Sequence, residues 1–192
     1  MTVVLPAEHR TPVGPLGLAL ALAAAVAVRV ALAGPVGAAS RPAALAFAVL
    51  LGACVAVVRP ATRWGRRVLV TGMAGGAALV LPVLVVHGVG DVHPGGSYAG
   101  WAVVTAVVAT AEEAFLRGAL HDAVARRGGA DLAVAVTAVA FAALHLPLYG
   151  WGAAPLDLAV GVALAAMRLV AGSWIAPAMA HAGADLLGWW LV

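Results

Sequence analysis

Lysine is absent from this 192-residue chain, and all eleven of its basic residues are arginines. Charge of either sign is scarce, at 10% of residues, where a soluble globular domain carries about 25%. Too few charges remain to cover a water-facing surface, which excludes a soluble enzyme, a disordered chain and a coiled coil together. The single cysteine, Cys54, rules out an intramolecular disulfide and a four-cysteine zinc site. In its apolar run it reads as a buried, inert thiol. What fills the chain instead is Ala, Val, Leu and Gly: hydrophobic residues make up 64%, and the mean hydropathy is +1.05. The composition is that of an all-α, polytopic membrane protein.

Crossing a hydrocarbon core takes about 20 apolar residues as a helix, within a range of roughly 17–25. Seven spans are predicted: Val13–Ala33, Ala43–Val58, Val68–Val86, Tyr98–Leu120, Ala130–Leu146, Leu156–Leu169 and Trp174–Leu191. Gly34-Pro35, Arg59-Pro60, Pro94-Gly95-Gly96, Gly128-Gly129 and Ala154-Pro155 mark the breaks. Residues 1–97 hold three spans, and residues 98–192 hold a four-span core. The first stretch resembles a signal peptide ending at Ala31-Leu32-Ala33. Glu8 beside Arg10 in the leader, and Arg29 within the long apolar run, favour a retained helix.

The arginines orient the bundle. Arg10, Arg59, Arg63, Arg66, Arg67, Arg126, Arg127 and Arg168 fall in one set of connections, and only Arg41 falls in the other. Positive loops stay cytoplasmic, so the N-terminus is expected inside and the C-terminus outside. This asymmetry reads the net charge of +3 as topology rather than as nucleic-acid binding. Trp101, Trp151, Trp189 and Trp190 fall near the outer ends, as interfacial aromatics should.

Three places do not belong in lipid. Span four carries Glu112-Glu113-Ala114-Phe115-Leu116-Arg117-Gly118, span five ends Phe141-Ala142-Ala143-Leu144-His145-Leu146-Pro147, and span seven holds His181-Ala182-Gly183-Ala184-Asp185. A charge at a helix centre costs about 2.5–3.5 kcal/mol on insertion scales, and such residues normally face a bundle interior and mark function. Glu113 and Arg117 are four apart and can pair on one face. Glu112 lies about 100° around the helix, with nothing local to neutralise it. His181 and Asp185 share a face, and Pro147 should end or kink span five just past His145.

Counting about 1.5 Å per residue from the arginine-rich end, Glu112, His181 and Asp185 come to similar depths and His145 lies deeper. One convergent site, open towards the cytoplasmic half, is expected. His87, His93 and His121 sit in or beside loops and should be solvated. Arg29 should snorkel or make a bundle contact, and Asp157 reads as a helix N-terminal acid.

The ordered trio Glu112-Glu113-x-x-x-Arg117, Phe141-x-x-x-His145 and His181-x-x-x-Asp185 resembles the CPBP family, the CAAX proteases and bacteriocin-processing enzymes also called Abi. The likeness covers about Thr105 to Leu187; the first three spans match nothing specific. It implies an intramembrane endopeptidase acting on a membrane-associated protein or peptide in the lipid bilayer. By that likeness Glu112 and His145 would activate a water. His181, with Asp185, would stabilise the oxyanion, and Glu113 and Arg117 would support the helix. The eukaryotic CAAX enzymes have Asn where Asp185 stands, so Asp185 either carries a proton or orients His181 without touching substrate.

No cofactor is required in this reading. The alternative is a zinc enzyme with Glu112, His145 and His181 as ligands, since the family was long described as metalloproteases. Buried Glu, Arg, His and Asp also build proton-coupled transporters, and an inactive scaffold or immunity protein is the remaining class. Abundant Ala and Arg without Lys fits a GC-rich bacterial gene and a plasma-membrane location, where prenylated substrates are not expected.

Overall fold

The computed structural model describes residues 13–87 and 97–190. Glu8, Arg10, His93, the Pro94-Gly95-Gly96 turn and the His87 side chain lie outside the described part. The described residues form an all-α bundle without a strand. Its helices are α1 (Pro15–Ala33), α2 (Arg41–Val58), α3 (Arg66–His87), α4 (Tyr98–Glu113), α5 (His121–Tyr149), α6 (Ala154–Ala171) and α7 (Ile175–Gly188). A π-helical segment, Ala114–Leu120, joins α4 to α5 without a break. Prolines open α1, α2 and α6 in the first turn, where a missing N–H costs nothing. The Ser97 hydroxyl caps α4 by accepting from the Gly100 N–H at 3.3 Å.

Helices stand at all seven predicted places. Four stretches are long and apolar enough to cross a membrane: Pro15–Ala39, Arg41–Val58, Tyr98–Tyr149 and Ala154–Ala171. The third is 52 residues long and counts for two of the predicted spans, because the chain turns back at Gly129. There φ is 82°, a left-handed value that glycine adopts without a Cβ clash. Arg117 and Phe141 would be about 36 Å apart on a straight helix, yet the guanidinium lies 4.9 Å from the ring centroid. α7 is only 14 residues long, below the usual spanning length.

Two predicted features differ. Pro147 does not break span five: α5 runs on to Tyr149 and closes at Gly150 with a φ of 77°. Only Leu148 and Tyr149 follow the proline, so the helix ends within one turn of it. His121 is buried rather than solvated. The helix continues through it as far as the Gly129 turn, and Ala123 and Val124 bury beside it. Cys54 is half-buried and unpaired.

Phe47, Leu51, Phe115, Leu116, Leu120 and Leu164 fill the core. Leu16, Leu20, Val49, Met73, Val85 and Val162 point outward in the open, an apolar surface that suits acyl chains and not water. Close helix approaches rest on small residues, as in other membrane bundles. Gly72, Gly75 and Gly76 of α3 meet Ala176, Met179 and Ala180 of α7. A Cβ on Gly161 would come within 2.9 Å of the Ala138 carbonyl oxygen. Gly161→Val is therefore expected to push α6 off α5 at a cost of about 1–3 kcal/mol. The check is the unfolding midpoint in mixed detergent micelles.

The two ends of the bundle are distinct. At one end Gly118 packs on Pro60 and Trp174, Ser173 Oγ donates to the Arg63 carbonyl at 2.9 Å, and Gly14 lies beside Arg127. These are the arginine-rich connections. At the other end Gly100 lies near Arg41, and Tyr98, Trp101, Trp189 and Trp190 cluster with ring centroids 5.1–6.0 Å apart.

Candidate active site

Glu113 and Arg117 are the most deeply buried charges, both 0% exposed. Arg117 Nη1 donates to Glu113 Oε1 at 2.7 Å, as the four-residue spacing predicts. Arg117 Nη2 donates to the Gly161 carbonyl at 3.0 Å, and the guanidinium lies over the Phe141 ring. Arg117 thus ties the π-helical segment to α6 and to the motif on α5. Arg168 closes the same end: its Nε donates to the Arg117 carbonyl and its Nη2 to Asp122 Oδ1, both at 2.9 Å.

The same Glu113 oxygen also accepts from His181 Nδ1 at 3.0 Å. Nothing in local spacing shows this contact, because the two residues are 68 apart on different helices. Glu113 is therefore more than a partner for Arg117; it fixes the ring of His181. The other ring nitrogen, Nε2, lies 3.4 Å from Asp185 Oδ2, and the Asp185 side chain is 45% exposed. His145 sits one turn after Phe141, and its Nδ1–H donates to the Phe141 carbonyl at 2.9 Å. In a neutral ring that bond leaves Nε2 with a lone pair. Phe141 separates the two imidazoles, 4.5 Å from His145 and 5.4 Å from His181 between ring centroids. Tyr149 stacks on the far side of His145 at 5.6 Å.

Glu112 is not left unpaired, contrary to the sequence expectation. Arg29 Nη1 approaches Glu112 Oε1 at 3.5 Å, and both side chains are buried. The cation comes from α1 and rests over the Phe47 ring at 5.0 Å. Of the two roles predicted for Arg29, the bundle contact is the one adopted, and it brings the first helix into the site. A lone arginine in an apolar span was the available signal; its partner 83 residues away was not legible.

Glu112, His145, His181 and Asp185 all line one cavity of about 1260 Å³, with Arg29 and Asp157 also in its wall. Glu113 and Arg117 stand behind that wall. The greater depth assigned to His145 does not keep it apart from the others. The direction of the cavity differs from expectation: its lining runs to Val36, Ser40, Trp101, Leu156 and Gly188. These residues belong to the end opposite the arginine-rich connections, not to the cytoplasmic half.

A zinc ion does not fit the side chains as they stand. His181 directs Nδ1 to Glu113 and Nε2 to Asp185, and Glu112 is held by Arg29. Among the described residues no three His, Cys, Asp or Glu groups gather at a point that could hold a metal.

Residues 94–187, about half of the chain, match the family described as type II CAAX prenyl endopeptidase, Rce1-like. That segment is an Rce1-like domain. The matched segment contains α4 to α7 and hence Glu112, His145, His181 and Asp185, whereas Arg29 lies outside it. The family makes this a CAAX-protease-type enzyme, and the apolar helices make it a multi-pass membrane protein. No curated protein and no solved structure matches the chain.

Proposed function

We propose that this Rce1-like protein is an intramembrane endopeptidase in which Glu112 activates a water held with His145. The observation that supports the reading is that Glu112, His145, His181 and Asp185, from three separated stretches of sequence, all line one cavity. The Glu112 carboxylate takes a proton from the water as its oxygen attacks the scissile carbonyl carbon. His145, with Nδ1–H committed to the Phe141 carbonyl, accepts a hydrogen bond from that water at Nε2. In this step His181 carries both ring protons: Nδ1–H stays on Glu113, and Nε2–H, beside Asp185 Oδ2 at 3.4 Å, turns to the oxyanion. As the C–N bond breaks, Glu112 returns its proton to the leaving nitrogen, so one water is consumed and a carboxylic acid and an amine are released, which become a carboxylate and an ammonium by proton exchange.

Asp185 Oδ2 lies beside His181 Nε2, which favours an orienting role over direct contact with substrate. The residues behind the wall, Glu113 and Arg117, keep His181 in register. Substrates are polypeptides of the membrane; the family description names prenyl endopeptidases, and an unprenylated peptide is equally compatible with the chemistry.

The test is cleavage of a quenched-fluorescent peptide library by the purified chain in proteoliposomes. Native protein should cleave, and His145→Ala should lower the rate by 10²-fold or more, within the range of about 10²–10⁴ for general acid–base groups. Full activity in His145→Ala would remove this mechanism. Loss of activity on chelation, restored by zinc, would replace it with the metallo-version, and ion uptake without cleavage would replace it with transport.

A further inference from the structure

From the direction of the cavity we infer that substrate enters from the non-cytoplasmic face, so the enzyme acts on a segment exposed at the outer leaflet. This inference rests on the proposed protease function and adds the side from which substrate comes. The cavity has a closed base and an open rim. Its base lies at Glu112, His145 and His181, and beneath them the bundle is shut. Phe115, Leu116 and Ala119 are fully buried there, and Arg168 bonds both the Arg117 carbonyl and Asp122. Its rim is formed by exposed Val36 and Leu156, with Ser40, Trp101 and Gly188.

Charge assigns the compartments. The shut end carries Arg59, Arg63, Arg66, Arg67, Arg126 and Arg127, whereas Arg41 alone marks the rim end among the described loops. Lys/Arg excess marks the cytoplasmic side, so the rim faces outward. The aromatic cluster of Tyr98, Trp101, Trp189 and Trp190 stands at the same level, as a membrane–water belt does.

The dimensions constrain what enters. Glu112 lies eleven residues along α4 from Trp101, about 16 Å below the rim. An extended polypeptide covers that depth in about five residues. Val36, Leu79, Val80, Val104, Val108 and Val160 line the way down, with Arg41 and Asp157 as charged groups at the rim end. The matching substrate is an extended, apolar stretch reaching in from outside, as in an exported peptide or the outer end of a membrane protein.

The test uses the full chain in intact cells with Cys54→Ala as background. A Thr105→Cys variant places a thiol in the cavity wall, and Arg63→Cys places one on the arginine-rich loop. A membrane-impermeant maleimide should label Thr105→Cys in intact cells and Arg63→Cys only in inside-out vesicles. The reverse pattern, or no labelling of Thr105→Cys from the outside, would overturn the inference. Because labelling reads no catalysis, an outward cavity in a chain that cleaves nothing would sink the protease reading and leave the topology standing.

Discussion

Arg117→Met should lower stability by about 3–5 kcal/mol, the cost of stranding one partner of a buried ion pair. Methionine is shorter but keeps an unbranched, apolar stem of similar volume, so lost volume contributes little. What it removes is the donor to Glu113 Oε1 at 2.7 Å and the donor to the Gly161 carbonyl at 3.0 Å. Glu113 would then have His181 as its remaining partner in a place with no exposure. Arg117→Lys preserves the charge but cannot serve two acceptors with one planar fork, so it should fall between the native chain and Arg117→Met. The double variant Glu113→Gln/Arg117→Met should recover part of the loss, because the stranded charge goes with it. Unfolding equilibria of the four proteins in mixed micelles give the cycle. Additive losses would show that the pair does not act as a unit.

The contrast between Arg117 and Arg29 shows how far the sequence could be read. The i, i+4 spacing of Glu113 and Arg117 announces their pairing, because a helix fixes which neighbours share a face. The seven helices were equally legible, since continuous apolar runs report the thickness of the bilayer. The four cavity residues stood out because ionisable groups inside such runs are costly to bury. Arg29–Glu112 and Glu113–His181 left no such mark. Each joins helices far apart in the chain; the packing of α7 against α4 creates one, and the packing of α1 against α2 and the π-helical segment creates the other.

The π-helical segment at Ala114–Leu120 shifts the phase of the motif without any residue pattern that would signal it. His121 was misplaced for a related reason: the helix does not stop at Leu120 but continues to the turn at Gly129. The direction of the cavity escaped as well. Counting rise along a helix gives the depth of a residue but not which end of the bundle is packed shut, and that depends on Phe115, Leu116 and the Arg168 bonds.

Glu112→Gln should abolish most cleavage, by about 10²–10⁴-fold, and the reason can be separated from loss of fold. Glutamine keeps the shape of the side chain but cannot take a proton from water. It also withdraws the negative charge facing Arg29, leaving a buried guanidinium with Gln Oε1 as a neutral acceptor. The single variant is therefore expected to lose stability together with activity, and activity alone would not decide between base and strut. Arg29→Met/Glu112→Gln removes both charges. It should regain part of the stability, since an apolar pair can replace a buried ion pair at little cost, and it should stay inactive. Arg29→Met alone leaves Glu112 ionisable but without its cation. Recovery of cleavage in the double variant would make Glu112 a structural counter-ion and would move the role of base to His145. Persistent inactivity in a refolded, stable double variant assigns the proton transfer to the Glu112 carboxylate.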